Sequence, residues 1–187
     1  MENPAKKYLY HRVPDDMETS GEGRAVLYPL NQLKEKFPGL FLLESEKYNS
    51  SEQRKNIPGT IIPTLEAAAW GDVLQMSAIH PEDLKKALVA AGYAPREMRF
   101  YQIDPDLLDP AKMTIYLYRD DLENDHIDNY TPFDPKSLVA HSAVPEITAE
   151  YYFEVIKRGE RPFLFVGVPH IFHHGPIDVS DFPVIVV

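Results

Sequence analysis

The chain has no cysteine among its 187 residues. That excludes disulfides, thiolate metal sites and a cysteine nucleophile, and it fits a reducing compartment. An apolar run approaching 18 residues is also missing, as is an apolar h-region behind the N-terminus. Neither a membrane span nor a signal peptide is therefore expected, and the cytoplasm is the default location. Basic charge is scarce: 19 Lys and Arg stand against 29 Asp and Glu, for a formal net charge of -10. Lys85-Lys86 and Lys157-Arg158 are isolated pairs, so a duplex backbone would be repelled over most of the surface. A glycine-rich phosphate loop, an HExxH helix and a GxSxG elbow are all absent, which removes the common nucleotide-fold, zincin and α/β-hydrolase templates.

What is present suffices for one core. A chain of this length buries roughly 70% of the surface its unfolded form exposes, so residues 1–187 read as a single domain. Tyr8 to Val13 is rich in β-formers and stops at Pro14-Asp15-Asp16, which predicts a first strand. Its period of two places His11 with Leu9 and Val13, and Arg12 with Tyr8 and Tyr10. Leu30, Leu33 and Phe37 recur at helical spacing, with Pro38-Gly39 as the stop. Glu44 to Gly59 is polar and reads as a mobile lid or loop. Asp72 to Ser77 predicts a buried strand. His80-Pro81-Glu82-Asp83 opens a helix with Leu84, Ala87, Leu88 and Ala91 on its apolar stripe and Gly92 as cap.

Two more strands are predicted over Arg99–Ile103 and Met113–Tyr118, followed by an acidic surface connection from Arg119 to Lys136. A helix after Pro145 ends at Gly159, and strand-like pieces cover Pro162–Val168, Ile171–His174 and Pro183–Val187. The resulting order, β-α-β-α-β-β-α-β-β, predicts an α+β domain: a split or strongly bent mixed sheet flanked by about three helices.

Among polar residues, His170, His173 and His174 invite a metal reading. On an extended strand, however, His173 points away from the other two, and the general base for a metal-assisted hydrolase has no obvious source; no metal is expected. Asp15-Asp16, Asp104/Asp106 and Asp120-Asp121 sit in turn-rich contexts that favour solvated capping over acid and base roles. Trp70, beside Gly71 and Asp72, is either packed against the sheet or the wall of an aromatic site. Tyr28 and Asn31 either face a pocket or only start a helix.

Three segments together resemble the ADP-ribosyltransferase superfamily, which includes the NAD-dependent RNA 2′-phosphotransferases. They are Leu9-Tyr10-His11-Arg12, Val73 to Ser77 followed by a helix, and the pair formed by Phe100 to Pro105 and His170 to Val187. The resemblance implies NAD as the bound dinucleotide and a protein or nucleic-acid acceptor. It also implies roles: His11 on the ribose, Arg12 on the pyrophosphate, Ser77 on the nicotinamide ribose, Tyr28 for stacking, Asn31 lining the pocket, and His170 toward the acceptor. His11 and His170, the candidate catalytic pair, are then expected on neighbouring strands facing one pocket. Strand alternation sends His11 and Arg12 to opposite faces unless the strand end re-aims one. One departure stands out, since Pro169 to Gly175 carries no glutamate where mono-ADP-ribosyltransferases place theirs. That departure raises the alternative of a non-enzymatic binding domain.

Overall fold

The computed structural model describes residues 6–14, 24–49, 55–118 and 126–187. Asp15-Asp16, Asp120-Asp121 and the stretches 50–54 and 119–125 of the two polar segments lie outside them. The strands are β1 (Leu9–Arg12), β2 (Val26–Leu27), β3 (Val73–Met76), β4 (Arg99–Ile103), β5 (Met113–Tyr116), β6 (Tyr130–Pro132), β7 (His170–His174), β8 (Ile177–Asp178) and β9 (Val184–Val186). Among the described residues the α-helices are α1 (Leu30–Lys36), α2 (Pro38–Ser45), α3 (Pro81–Ala90) and α4 (Glu146–Lys157).

This is an α+β domain whose sheet is split into three: β1-β4-β9, β2-β8 and β3-β7-β5-β6. Every strand pairing is antiparallel, where a mixed sheet was expected. Parallel pairs need a covering crossover helix, and here α3 and α4 are not used that way.

Alternation along the strands builds two layers of core. One face of the four-stranded sheet presents Leu74, Met76, Met113, Ile115 and Ile171, which pack with Leu9, Tyr101 and Ile103 of the three-stranded sheet. The other face presents Val73, Tyr116 and Phe172 beneath Ile62, Leu65 and Ala68, with Trp70 alongside. The two larger sheets meet at one backbone bridge. Tyr10 N–H donates to the Ser77 carbonyl at 2.8 Å, and Ser77 N–H returns the bond at 3.0 Å. On its other side β3 is paired with β7, so β1 covers only the end of an otherwise open edge.

The short helix ahead of Pro38 forms as expected, with α1 ending at Lys36, but Pro38 also occupies the first position of a second helix, α2, where its missing N–H costs nothing. Two other expectations change. Pro162–Val168 forms turns rather than a strand. Its backbone is bound by α4 instead: the Tyr152 hydroxyl donates to the Leu164 carbonyl, and the Tyr151 hydroxyl accepts Phe163 N–H at 3.1 Å. Finally, the acidic connection contains β6, which pairs with β5 through Tyr130 opposite Tyr116.

Two glycines test these corrections. Gly39 has nothing within 4 Å of a built Cβ, whereas Gly167 has φ +75° and would set its Cβ 3.0 Å from Thr148 Oγ1. Gly39→Ala should stabilise by about 0.5–1 kcal/mol in urea unfolding, because the residue is helical. Gly167→Ala should destabilise by about 1–3 kcal/mol. A loss of stability in Gly39→Ala would leave Pro38-Gly39 as a helix stop alone.

Candidate functional site

Where β1 and β3 part, a cavity of about 380 Å³ opens, near the small end of ligand pockets, which span about 300–1,000 Å³. One wall is the end of β1 and the edge of β3, and the opposite wall is the inner stripe of α1 and α2.

The parting has a traceable cause. Val13 N–H donates to the Arg99 carbonyl at 2.9 Å, so by alternation the N–H groups of His11 and Leu9 face β4, and those of Tyr10 and Arg12 face β3. Tyr10 finds Ser77. The next rung of a continuing ladder would join Arg12 N–H to the Gln75 carbonyl. Instead, that carbonyl lies 2.8 Å from His11 Nδ1. A carbonyl only accepts, so Nδ1 carries the proton in this contact. The imidazole thus wedges the strands apart while keeping Gln75 satisfied. Both His11 and Arg12 line the cavity, because Arg12 is the last residue of β1 and the chain turns there at Val13-Pro14.

His170 lines the same cavity. It is not on a strand adjacent to β1, as had been expected; β3 intervenes between β1 and β7. Its ring is stacked with Tyr116, centroids 6.2 Å apart, and with Phe172 at 6.0 Å. Trp70 meets Tyr116 and Phe172 edge-on at 5.4 and 4.8 Å. The aromatic surroundings exclude water from His170 although part of the residue is accessible, and this desolvation lowers its pKa to about 4. His170 is consequently neutral at pH 7, and is a poor acid and a weak base there.

Tyr28 lines the cavity and packs against Phe37 at 5.7 Å. Asn31 and Ser77 do not line it. The Asn31 amide donates to Asp72 Oδ1 at 2.8 Å, while Asp72 Oδ2 accepts Ala69 N–H at 2.9 Å. Asn31 therefore ties α1 to the turn that carries Trp70. Ser77 is buried, and its hydroxyl accepts Ile79 N–H at 3.1 Å. Of the other clustered histidines, His173 faces the opposite side of β7 from His170 and His174, so the three do not converge. Among the described residues, no group of three or more His, Cys, Asp or Glu is placed to hold a metal ion.

Comparison with protein-family models, curated proteins and solved structures finds no match to this chain.

The geometry adds Glu44, Tyr48 and Gln75 to the residues read from sequence. The signal for the first two was the spacing of three and four from Leu30 through Leu33, Phe37, Leu40 and Glu44 to Tyr48, which runs straight through Pro38.

The His170 environment has a measurable consequence. Below the ordinary histidine value of about 6.5 the unfolded chain takes up a proton that the folded one refuses until about 4. The unfolded state thus binds more protons, and stability falls as pH drops through that window, by on the order of 1–3 kcal/mol. His173 is also lowered, chiefly by burial, and adds in the same direction. Urea unfolding at neutral pH and near pH 4.5 should show this loss, and His170→Phe, which preserves the stacking, should show a visibly smaller one. An equal loss in the variant would place the linkage elsewhere.

Proposed function

We propose that the cavity binds NAD and that the protein transfers ADP-ribose to a macromolecular acceptor. The observation that carries this reading is the joining of His11, Arg12, Tyr28 and His170, drawn from three separate parts of the chain, around one cavity at the split of the sheet. Its size suits one half of a dinucleotide rather than the whole. His11, with Nδ1 committed to Gln75, lines the cavity on the side assigned to a ribose. Arg12 is exposed at the strand end and is suited to the pyrophosphate outside the cavity. Tyr28 and Trp70 supply flat faces, and His170, held neutral, adds no cation to repel a positively charged ring.

The substrate brings its own leaving group: the bond between the ribose anomeric carbon and the ring nitrogen breaks, and its electron pair leaves with nicotinamide. Nicotinamide departs neutral, so no acid is required. The acceptor's lone pair forms the new bond and its proton passes to solvent water, because His170, held neutral by burial, is too weak a base to take it.

A second reading follows from the absence of a carboxylate on β7: the cavity binds the dinucleotide without turning it over. One experiment separates the two. Purified protein is titrated with NAD by calorimetry and then incubated with cell-derived acceptors while free nicotinamide is followed. Binding with nicotinamide release is expected, and His11→Ala should weaken binding about tenfold through loss of one hydrogen bond. Binding without release favours the second reading, and absence of binding at millimolar NAD ends both.

A further inference from the structure

The edge of β3 that borders the cavity carries main-chain groups that no strand takes up. Gly175 N–H donates to the Asp72 carbonyl at 3.1 Å, and these two residues stand opposite each other in the register that pairs Val73 with His174. By alternation, Leu74 and Met76 direct their N–H and C=O groups to β7, while Val73, Gln75 and Ser77 turn theirs the other way. Ser77 agrees with this phase, because both of its main-chain groups are bonded to Tyr10. The Gln75 carbonyl accepts from His11 Nδ1. That leaves Gln75 N–H and the N–H and carbonyl of Val73, which have no hydrogen-bond partner among the described residues. The chain has no means of completing the ladder at Val73. The residue that the Tyr10–Ser77 register would set opposite it is Pro14, which lacks an N–H. Val73 is a buried residue, and a main-chain group left unpaired inside a protein is costly. An open edge of this kind along a cavity marks a place for the polar atoms of a ligand.

The edge is also short. The Ser77 bridge closes one end, and at the other the turn Trp70–Asp72 leads into β3, with Asp72 tied to Asn31 of α1. An added peptide strand has no length to run along, whereas one planar base does. We propose that this edge reads adenine: the exocyclic amine donates to the Val73 carbonyl, and Gln75 N–H donates to the neighbouring ring nitrogen, N1. The two protein groups sit on successive peptide units and point to the same side of the strand, an acceptor beside a donor. The cavity of about 380 Å³ is lined mainly by apolar side chains, with Tyr28 and Trp70 among them, and suits the burial of two fused rings. Hypoxanthine reverses both groups, with a protonated N1 beside a carbonyl oxygen, and so sets donor against donor and acceptor against acceptor. This deepens the NAD reading, on which it rests only for the natural ligand. It seats the adenine half of the dinucleotide against β3 and leaves the nicotinamide half toward the mouth.

The test uses small probes and needs no turnover. The full chain is titrated by calorimetry with adenosine, with inosine, with 1-deazaadenosine, which lacks the N1 acceptor, and with nicotinamide, whose carboxamide carries the same two groups on a single ring. Adenosine should bind at least about tenfold more tightly than each of the others. Gln75→Pro removes the edge N–H without touching the ladder to β7, and should reduce the preference for adenosine over 1-deazaadenosine to less than about twofold. Gln75→Ala keeps the N–H and should keep the preference; circular-dichroism melting checks the fold of both variants, and the wild-type comparisons decide the matter should Gln75→Pro not fold. Equal binding of adenosine and inosine, full affinity for 1-deazaadenosine, nicotinamide bound as tightly as adenosine, preference retained in a folded Gln75→Pro, or no binding of adenosine at millimolar concentration overturns the proposal. Selection of adenosine without binding of NAD leaves the adenine site standing and removes the transferase reading. Release of nicotinamide from NAD by a protein that treats adenosine and inosine alike does the reverse.

Discussion

The Gln75 carbonyl takes a ring N–H from His11 where a continuing ladder would have supplied the main-chain N–H of Arg12. The exchange has a structural result far larger than its energy. One hydrogen bond replaces another, so little stability is lost, and the exposed edge of β3 keeps its acceptor satisfied. Yet an imidazole is longer than a backbone rung. Once it is inserted, the three-stranded and four-stranded sheets cannot rejoin, and the space between them becomes the cavity. The same bond holds the His11 ring in place, so the residue that opens the site also lines it.

The two walls of this cavity differ in rigidity. The strand wall belongs to a continuous core, with Leu74 and Met76 on β3 packed beneath Leu9 and Tyr101. The helical wall is attached more lightly, since α1 buries only Leu33 fully and α2 buries no residue fully. Its tether is the link from Asn31 to Asp72, and the Asn31 amide fills the space where a side chain on Gly71 would stand, 2.7 Å from a built Cβ. Elements with few buried contacts are the ones that open first. A ligand seated between the walls would therefore contribute most of its stabilisation to α1 and α2, coupling occupancy to the order of the helical side.

Much of the framework was legible because period and punctuation agreed. Leu84 and Leu88 behind Pro81 fixed α3, and Leu9 to Arg12 read correctly as a strand. The α2 helix was hidden by Pro38, a residue that both ends and begins helices; only the stripe continuing to Glu44 and Tyr48 distinguishes the two. The short strands β2, β6 and β8 carry two or three residues each, too few to display alternation. Within the site, His11 and His170 could be singled out by type, but their meeting across β3 depends on long-range register. Ser77 shows the opposite case: a polar residue on a promising strand whose hydroxyl is consumed by the local Ile79 N–H. Sequence gives no means of telling such a bond from a ligand contact.

The neutrality of His170 bears on how a transferase could work here without a glutamate on β7. Cleavage of a pyridinium glycoside is assisted by anything that stabilises positive charge at the sugar and hindered by any cation nearby. A protonated His170 would be such a cation. Stacking against Tyr116 and Phe172 removes water from the ring and keeps the proton off, so the same packing that makes His170 a weak base also keeps it from adding a positive charge to the cavity. Restoring basicity by opening the stack would bring the opposing charge with it. In the transferase reading, the sheet therefore supplies an uncharged aromatic floor to the cavity.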